Sequence, residues 1–339
     1  MPMQAVVVRE FGGIDRISVE DRPVPVPGKG EVLVRVGAVA ANFVDTLVIG
    51  GTYQFLPERP FTPGKGPAGT IAALGEAVTG LSVGDRVLAM AEIGGYAEYA
   101  LAPASQCYAL PASMSFEEAA STSLAADTAW FGLRERGRVQ PGETVLVLGA
   151  TGAVGIAALQ LAKAFGARVL AGVSSMAKAD LVREAGADAV IDLSRENLRD
   201  GLREQVHAET GDAGADVVLD MLGGDIFDAA LRALAWRGRL VVIGFAAGRI
   251  PSVKANYLLV KNIEVSGLQI SDYRKRMPEL ARRCFEEIFA LHGEGKLHAP
   301  VFRTFPLLQA RDALAALLDR KVKERIVMTM SGHQRESNA

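Results

Sequence analysis

The fold is decided by residues 144–173, which read TVLVLGATGAVGIAALQLAKAFGARVLAGV. The continuous apolar run Thr144–Leu148 predicts a buried strand, and residues 152–166 predict a helix that begins at a glycine-rich turn. A second apolar run, Arg168–Val173, predicts a further strand. Because apolar strands that alternate with helices are typical of parallel sheets covered on both faces, the segment indicates an α/β fold with a doubly wound sheet.

The turn between the first strand and its helix contains Gly149, Gly152 and Gly155. A helix start offers unpaired N–H groups and the positive end of its dipole to a pyrophosphate, and glycine lets the backbone approach the phosphates closely. A tight turn without a ligand is the alternative interpretation. The strand before the turn and the helix after it favour a nicotinamide dinucleotide site with contacts at Gly152, Ala153, Val154 and Gly155.

The second strand ends in Ser174 and Ser175, and Lys178 follows one turn later. Sites that prefer NAD commonly have an acidic residue here, which binds the ribose hydroxyls. Hydroxyl groups and a cation suit a 2′-phosphate instead, so we predict NADPH rather than NADH. A solvated helix face is the alternative for Lys178, and Arg183 and Arg195 are weaker candidates for the same contact.

The rest of the chain divides into three blocks. Before residue 122, short strand-like runs are broken by glycine and proline, which predicts a barrel or sandwich. After residue 267, the pattern predicts a helix at 278–292, a strand at 302–305, a helix at 309–320, a strand at 325–328 and a frayed polar end at 331–339. The predicted domains are 1–122, 123–266 and 267–339, the last returning to the first.

Composition excludes several classes of protein. The 339 residues carry a net charge of -2, so no basic surplus predicts a nucleic-acid partner. The two cysteines, Cys107 and Cys284, form no CxxC pair, which favours a reducing compartment. No signal peptide and no apolar run of about 20 residues is found. We expect no membrane association and a cytoplasmic location.

Segments along almost the whole chain resemble the zinc-independent NADPH:quinone oxidoreductases, the zeta-crystallin-like group of the medium-chain dehydrogenase/reductase superfamily. The order and spacing of these segments carry the resemblance more than any single one. They are Ala41–Thr46, Gly50–Tyr53, Pro63–Gly69, Gly84–Val87, Gly94–Tyr99, Ala125–Trp130, Ile243–Phe245 and Leu258–Asn262.

The resemblance implies a GroES-like β-barrel catalytic domain interrupted by a Rossmann domain, with the active site in the cleft. It also implies a homodimer or homotetramer, built partly by strands near residues 263–267. Besides the glycine turn, the implied cofactor contacts are Asn42, Asp45, Thr128, Ser174, Lys178, Gly244, Phe245, Leu268 and Arg325.

The lack of zinc-ligand residues separates this group from the zinc-dependent alcohol dehydrogenases of the same superfamily. Those enzymes carry cysteine where this chain has Asn42, and His-Glu where it has Lys65 and Gly66. They also have a four-cysteine lobe near residues 95–110, where this chain has Cys107 alone. A catalytic zinc needs about three protein ligands, so we predict no metal.

The candidate catalytic residues are Asn42, Tyr53 and Lys65. Asn42 and Tyr53 match positions that line the quinone reductase pocket and could donate hydrogen bonds to the acceptor oxygen. Structural roles, as a turn residue and a packing residue, are the alternatives. Lys65 could bind a carboxylate or donate to an enolate oxygen, and a solvated loop lysine is its alternative. Leu47 replaces a second aromatic of some relatives, which would weaken stacking on a quinone.

Hydride transfer to a conjugated small molecule needs no Lewis acid, because the nicotinamide supplies the hydride. The leading hypothesis is therefore NADPH-dependent reduction of quinones. Reduction of activated alkenes, such as enals, enones or enoyl thioesters, uses the same step and is the alternative. A non-catalytic NADPH-binding protein is a third. RNA binding has been associated with the family, but the acidic balance of this chain does not support it.

Overall fold

The computed structural model describes residues 2–319, 322 and 324–330, so the predicted frayed end at 331–339 lies outside the described residues. The chain divides into two compact units. Unit 1 comprises the described residues of Met1–Leu124, Arg274–Phe285 and Ala299–Ala339, and unit 2 comprises Ala125–Tyr273 and Glu286–His298. The assignment of domains to 1–122, 123–266 and 267–339 stays a prediction.

Strands and helices alternate through the middle of the chain, and strands dominate its first part. The strands of the described residues are β1 (Pro2–Val7), β2 (Ser18–Pro23), β3 (Glu31–Ala40), β4 (Ala68–Leu74), β5 (Arg86–Ala89), β6 (Tyr99–Pro103), β7 (Cys107–Ala109), β8 (Thr144–Leu148), β9 (Arg168–Val173), β10 (Ala189–Asp192), β11 (Ala215–Asp220), β12 (Leu234–Val242), β13 (Glu264–Gly267), β14 (Phe302–Pro306) and β15 (Arg325–Thr329). The α-helices are α1 (Phe43–Ile49), α2 (Phe116–Trp130), α3 (Ala153–Ala164), α4 (Ala179–Glu184), α5 (Leu198–Thr210), α6 (Gly224–Ala233), α7 (Ala255–Lys261), α8 (Ile270–Arg276), α9 (Pro278–Gly293) and α10 (Ala310–Leu318).

Unit 2 is built on a six-stranded parallel sheet in the order β10-β9-β8-β11-β12-β13. Val145–Leu148 are all buried. Because successive side chains of a strand point to opposite faces, this burial shows that both faces of the sheet are covered. The chain runs outward from β8 to β10, then crosses back to β11 and runs outward on the other side. Ligands bind at the carboxyl ends of the strands at such a switch point.

Unit 1 is built on a mainly antiparallel sheet in the order β14-β15-β3-β4-β5-β7, with β6 also paired to β3. The ten-residue strand β3 pairs with β4, β6 and β15. Its register against β4 shifts at two points, and such irregularities bend a strand. One core packs Val32 and Val34 against Ile71, and another packs Val39 with Ile326 and Met328.

The predicted α/β class, with a parallel sheet built around residues 144–173, is confirmed. The sequence pattern also predicts a helix at 177–185, but a 3₁₀ turn at Met176–Lys178 precedes α4, so the observed helix begins at Ala179 and ends at Glu184. The predicted helix at 309–320 is observed at Ala310–Leu318, and Arg320 lies outside the described residues. None of the described helices combines the length and apolarity that crossing a membrane requires.

Candidate active site

The glycine turn of unit 2 has the geometry of an anion cradle. Gly149 has a φ of +78°, and Gly152 starts α3 in an extended conformation without a side-chain cap. A Cβ on Gly155 would lie 2.7 Å from backbone carbons of Ala150, so glycine is what allows the helix to approach the strand so closely. The first N–H groups of α3 have no partner within the helix and can therefore bind a phosphate.

Ser174 and Ser175 follow β9, beside this turn. The strands β8 and β9 are in register with Leu148 opposite Gly172, and the Ala150 N–H donates to the Gly172 carbonyl oxygen at 3.2 Å. Both serines are exposed, and Lys178 is partly buried in the following 3₁₀ turn. The residues predicted to select the 2′-phosphate therefore lie at the carboxyl end of the strand next to the cradle.

Two further predicted contacts of unit 2 lie beyond the carboxyl ends of neighbouring strands. Gly244 follows β12, and its N–H donates to the Asp220 carbonyl oxygen at 3.3 Å. Phe245 comes next and is about two-fifths exposed, at 42%. Leu268 follows β13 and is joined to β12 by a 3.0 Å bond from its N–H to Val242. The parallel sheet thus gathers these positions along one edge.

Thr128 and Asp220 are both buried polar residues of unit 2, but only Thr128 was predicted to contact the cofactor. Thr128, a predicted cofactor contact, lies in α2 and donates from its hydroxyl to Asp127 at 3.4 Å. Asp220 ends β11, was not singled out by the sequence, and accepts the N–H groups of Leu222 and Gly223 at 2.9 Å and 3.0 Å. Burial raises the pKa of Asp220. Its carboxylate fixes the loop at the switch point.

In unit 1, Asp45 is at the centre of a buried hydrogen-bond network. It accepts the Asn42 N–H at 2.9 Å and the Tyr96 hydroxyl at 2.8 Å. Burial raises the pKa of Asp45 to about 6, although these two donors and Lys65 oppose the rise. Asp45 therefore organises the start of α1, and the cofactor contact implied for it stays a prediction.

The amide of Asn42 is held in one orientation. Its Oδ1 accepts a hydrogen bond from Arg325 Nη2 at 2.8 Å, and its Nδ2 donates to the Ala40 carbonyl oxygen at 3.2 Å. Because a guanidinium can only donate, the oxygen of the amide must face Arg325. Arg325 is thus observed on Asn42, and the cofactor contact implied for it stays a prediction.

Lys65 lies on a short loop that two glycines fix. Gly64 and Gly66 have φ values of +100° and +65°. A Cβ on Gly64 would lie 2.6 Å from the Tyr96 nitrogen. The Gly66 N–H donates to the Ala91 carbonyl oxygen at 3.1 Å, which ties the loop to the segment that carries Glu92. The lysine is buried, so the alternative of a solvated loop residue is wrong.

The ammonium of Lys65 forms an ion pair with Glu92, and Arg274 Nη1 lies 3.5 Å from the other oxygen of the same carboxylate. The Tyr53 ring centre lies 5.8 Å from Lys65 Nζ. Burial raises the pKa of Tyr53, with Glu92 and Asp45 acting in the same direction, so its phenol remains a donor. Lys65 in turn lowers the pKa of Asp45. Unit 1 thus brings Tyr53, Lys65 and Asp45 into one electrostatic cluster.

Glu92 and Arg274 were not among the residues singled out from the sequence. A buried lysine requires an anionic partner, and that requirement was the only available signal. It could not say which of the 39 acidic residues would supply the charge. Within the residues that the structure describes, no group of three His, Cys, Asp or Glu side chains is placed to hold a metal ion.

Two family models match the chain. Residues 28–112 match the alcohol dehydrogenase GroES-like domain, and residues 153–286 match the model described as zinc-binding dehydrogenase. A GroES-like domain and a parallel Rossmann-type sheet together define the medium-chain dehydrogenase/reductase class.

A curated relative narrows this class. The quinone oxidoreductase-like protein 2 homolog of Nematostella vectensis is 39% identical over 304 residues, which cover 89% of this chain and 82% of the relative. The chain therefore belongs to the zinc-independent, quinone oxidoreductase-like family of medium-chain dehydrogenases/reductases.

Solved structures agree with this family. A mycobacterial quinone oxidoreductase has a TM-score of 0.90 at 35% identity, covering 96% of this chain and 99% of that chain. The Escherichia coli quinone oxidoreductase complexed with NADPH has a TM-score of 0.87 at 28% identity, with the same coverage of 96% and 99%. The CurK enoyl reductase has a TM-score of 0.85 at 28% identity, covering 97% and 99%.

Proposed function

We propose that this protein is an NADPH-dependent, zinc-independent oxidoreductase that reduces quinones by hydride transfer. The observation that carries the proposal is the row of strand ends in unit 2, where the glycine cradle lies beside Ser174, Ser175 and Lys178. An open helix start suits a pyrophosphate, and two hydroxyls with a cation suit a 2′-phosphate. The related E. coli enzyme was solved as a complex with NADPH, which supports the same cofactor here.

NADPH would supply the hydride, and the protein would supply binding, orientation and electrostatics. The N–H groups of Ala153, Val154 and Gly155 would hold the pyrophosphate. The NH₂ group of Asn42 carries two hydrogens, of which Ala40 accepts one. We assign the second hydrogen to the carbonyl oxygen of the substrate that accepts the hydride. A fixed donor at this oxygen stabilises the negative charge that develops there.

The acceptor side of this proposal rests on the cluster in unit 1. Tyr53 is half-buried and remains protonated, so its hydroxyl is a second donor for an acceptor oxygen. Lys65 adds a cation that is held in place by Glu92. A conjugated carbonyl compound gains electron density at oxygen when it receives a hydride, and such groups lower the energy of that state.

An acceptor panel tests the proposal. NADPH oxidation would be followed with benzoquinones and naphthoquinones, with enones, enals and enoyl thioesters, and without an acceptor, using NADPH and NADH side by side. We expect turnover of quinones and a lower KM for NADPH. Equal or better use of NADH would refute the choice of cofactor, and tight NADPH binding without any turnover would indicate the non-catalytic alternative.

Reduction of activated alkenes is the second candidate function. The similarity of the CurK enoyl reductase favours it, as does the buried cation at Lys65. A panel in which enones or enoyl thioesters react well and quinones react poorly would select this function. A homodimer or homotetramer remains a prediction for this chain, to be checked by light scattering of the purified protein.

A further inference from the structure

A positive charge near the acceptor does not by itself explain why Lys65 is buried together with Glu92 and Arg274. The side chain of Lys65 is 7% exposed and that of Arg274 is 1% exposed, whereas the side chain of Glu92, which binds both, is 27% exposed. Removing an ammonium from water is costly, and a loop lysine could easily extend into solvent instead. Here the flanking glycines and the ion pair hold it inside the unit.

The position of this ammonium links it to the predicted acceptor residues. Its nitrogen lies 5.8 Å from the Tyr53 ring centre, and its charge acts on Asp45. Asp45 in turn accepts a hydrogen bond from the backbone of Asn42. Lys65 therefore places a cationic N–H donor beside Tyr53 and in electrostatic contact with Asp45, and the Glu92 oxygen that binds it occupies only one of its three hydrogens.

Glu92 has a second property that matters for proton transfer. Because the side chain of Glu92 is partly exposed while that of Lys65 is buried, Glu92 offers the lysine a route for proton exchange with water. Arg274 contacts the other carboxylate oxygen and holds this route in place. The three side chains therefore connect water, a carboxylate and a buried N–H donor in sequence.

We propose that Lys65 is the proton donor in the reduction of α,β-unsaturated carbonyl compounds, with Glu92 and Arg274 as positioning residues. This inference rests on the proposed function. A hydride that NADPH would supply from its nicotinamide C–H bond adds to the β-carbon, the π electrons move to the carbonyl oxygen, and the resulting enolate takes a proton from Lys65 at the α-carbon. The N–H bond of Lys65 breaks, a C–H bond forms, and the neutral amine regains its proton from water through Glu92.

This step separates the two candidate acceptor classes. A quinone that accepts a hydride becomes a hydroquinone anion, whose oxygen exchanges protons with water directly. A carbon atom of an enolate is protonated slowly without a positioned donor, and general acids typically contribute about 10²-fold to 10⁴-fold. The proton of Lys65 therefore matters for enones and enoyl thioesters, whereas a quinone would use only its positive charge.

The test uses the full chain with four variants. Lys65→Met removes charge and proton, and Lys65→Arg keeps the charge but provides no usable proton, because a guanidinium is not deprotonated in proteins. Lys296→Met is the matched control, since Lys296 is exposed and ion-paired with Glu294 in unit 2. Lys65→Met combined with Glu92→Gln covers the case in which the single variant fails to fold.

Two measurements decide the outcome. The first is NADPH-driven reduction of an enone in D₂O, in which NMR reads the configuration of deuterium at the α-carbon. We expect Lys65→Arg and Lys65→Met to lose about 10²-fold in kcat with the enone and to give mixed configuration, while Lys296→Met matches the wild-type protein in both measures. A stereospecific product at near-normal kcat in both variants refutes the inference.

The second measurement needs no cofactor. Binding of p-nitrophenol, whose phenolate mimics the enolate oxygen, is followed by absorbance as a function of pH. We expect the protein and Lys296→Met to lower the pKa of the bound phenol, and Lys65→Met to abolish this effect. If the wild-type protein reduces quinones but no enone, the inference fails and the proposed function stands. If it reduces neither, the proposed function fails, and the phenol titration alone decides whether Lys65 faces an acceptor oxygen.

Discussion

Replacing Asp45 by asparagine should flatten the dependence of folding stability on pH. Burial raises the pKa of Asp45 to about 6, above its ordinary value of 3.8. The folded protein therefore binds a proton more readily than the unfolded chain does between these values, so stability from this group is fully present below about pH 3.8 and is lost as the pH rises through about 6.

The size of this effect follows from the pKa difference. Each unit corresponds to about 1.36 kcal/mol, and the two titrations together predict that Asp45 contributes about 2 kcal/mol more stability at about pH 4.5 than at about pH 7.5. Asparagine is close in shape and still accepts a hydrogen bond from Tyr96 through its oxygen. It has no proton to bind in this range, so the contribution of this position to the pH dependence disappears.

Urea unfolding at a series of pH values between these limits, followed by far-UV circular dichroism, measures the effect as a difference between the wild-type protein and the variant. Asp15→Asn is the control, because Asp15 is an exposed carboxylate of the same unit. It should leave the wild-type profile unchanged. Identical profiles for Asp45→Asn and wild type, or a wild-type advantage that grows with rising pH, would show that Asp45 is not the buried, proton-binding group described above.

Three further changes test other parts of the site. Lys178→Ala should raise the KM for NADPH about tenfold and leave the KM for NADH unchanged, because the side chain is assigned to the 2′-phosphate. Steady-state kinetics in which both KM values rise equally would contradict this assignment. Arg325→Met should lower kcat about tenfold and leave the Kd for NADPH unchanged, because the Asn42 amide loses the partner that orients it. Arg325→Lys should restore part of the rate. A changed Kd in calorimetry would instead indicate that Arg325 contacts the cofactor. Gly155→Ala should weaken NADPH binding more than about tenfold and lower the melting temperature, because the new Cβ would crowd Ala150. Gly293→Ala is the control, since a Cβ at Gly293 meets nothing within 4 Å. Equal losses of binding and melting temperature in the two variants would refute the argument.

The cofactor half of the protein could be predicted from the sequence because its information is local. Thr144–Leu148, the glycine turn and Arg168–Val173 follow one another within 30 residues. Strand burial and helix starts depend on neighbouring residues, so the predicted strands match the observed β8 and β9. The 3₁₀ turn before α4 was missed because such turns have no strong residue pattern.

The acceptor half could be predicted only in outline. Asn42, Tyr53 and Lys65 came from a resemblance to a family, and the sequence left a structural role open for each of them. Their partners depend on long-range folding, since Arg325 lies 283 residues from Asn42 and Arg274 lies 182 residues from Glu92. No local pattern predicts which charged residues will pair, because the pairing depends on how distant segments of unit 1 pack together.

This difference between the two halves explains why a family match defines the cofactor better than the acceptor. The cradle needs glycines in a fixed order, so a chain that keeps the family's order also keeps the capacity to bind a dinucleotide. The cluster around Lys65 can change one charge at a time without disturbing that order. The resemblance aligns the buried Lys65 with a metal ligand of zinc-dependent relatives, and Glu92 compensates the charge of this lysine. A cation at that place can still stabilise a developing oxygen anion, and unlike zinc it can also give up a proton. If Lys65 donates the proton as proposed, the choice between a quinone and an alkene depends on Lys65 and its two partners rather than on the glycine turn.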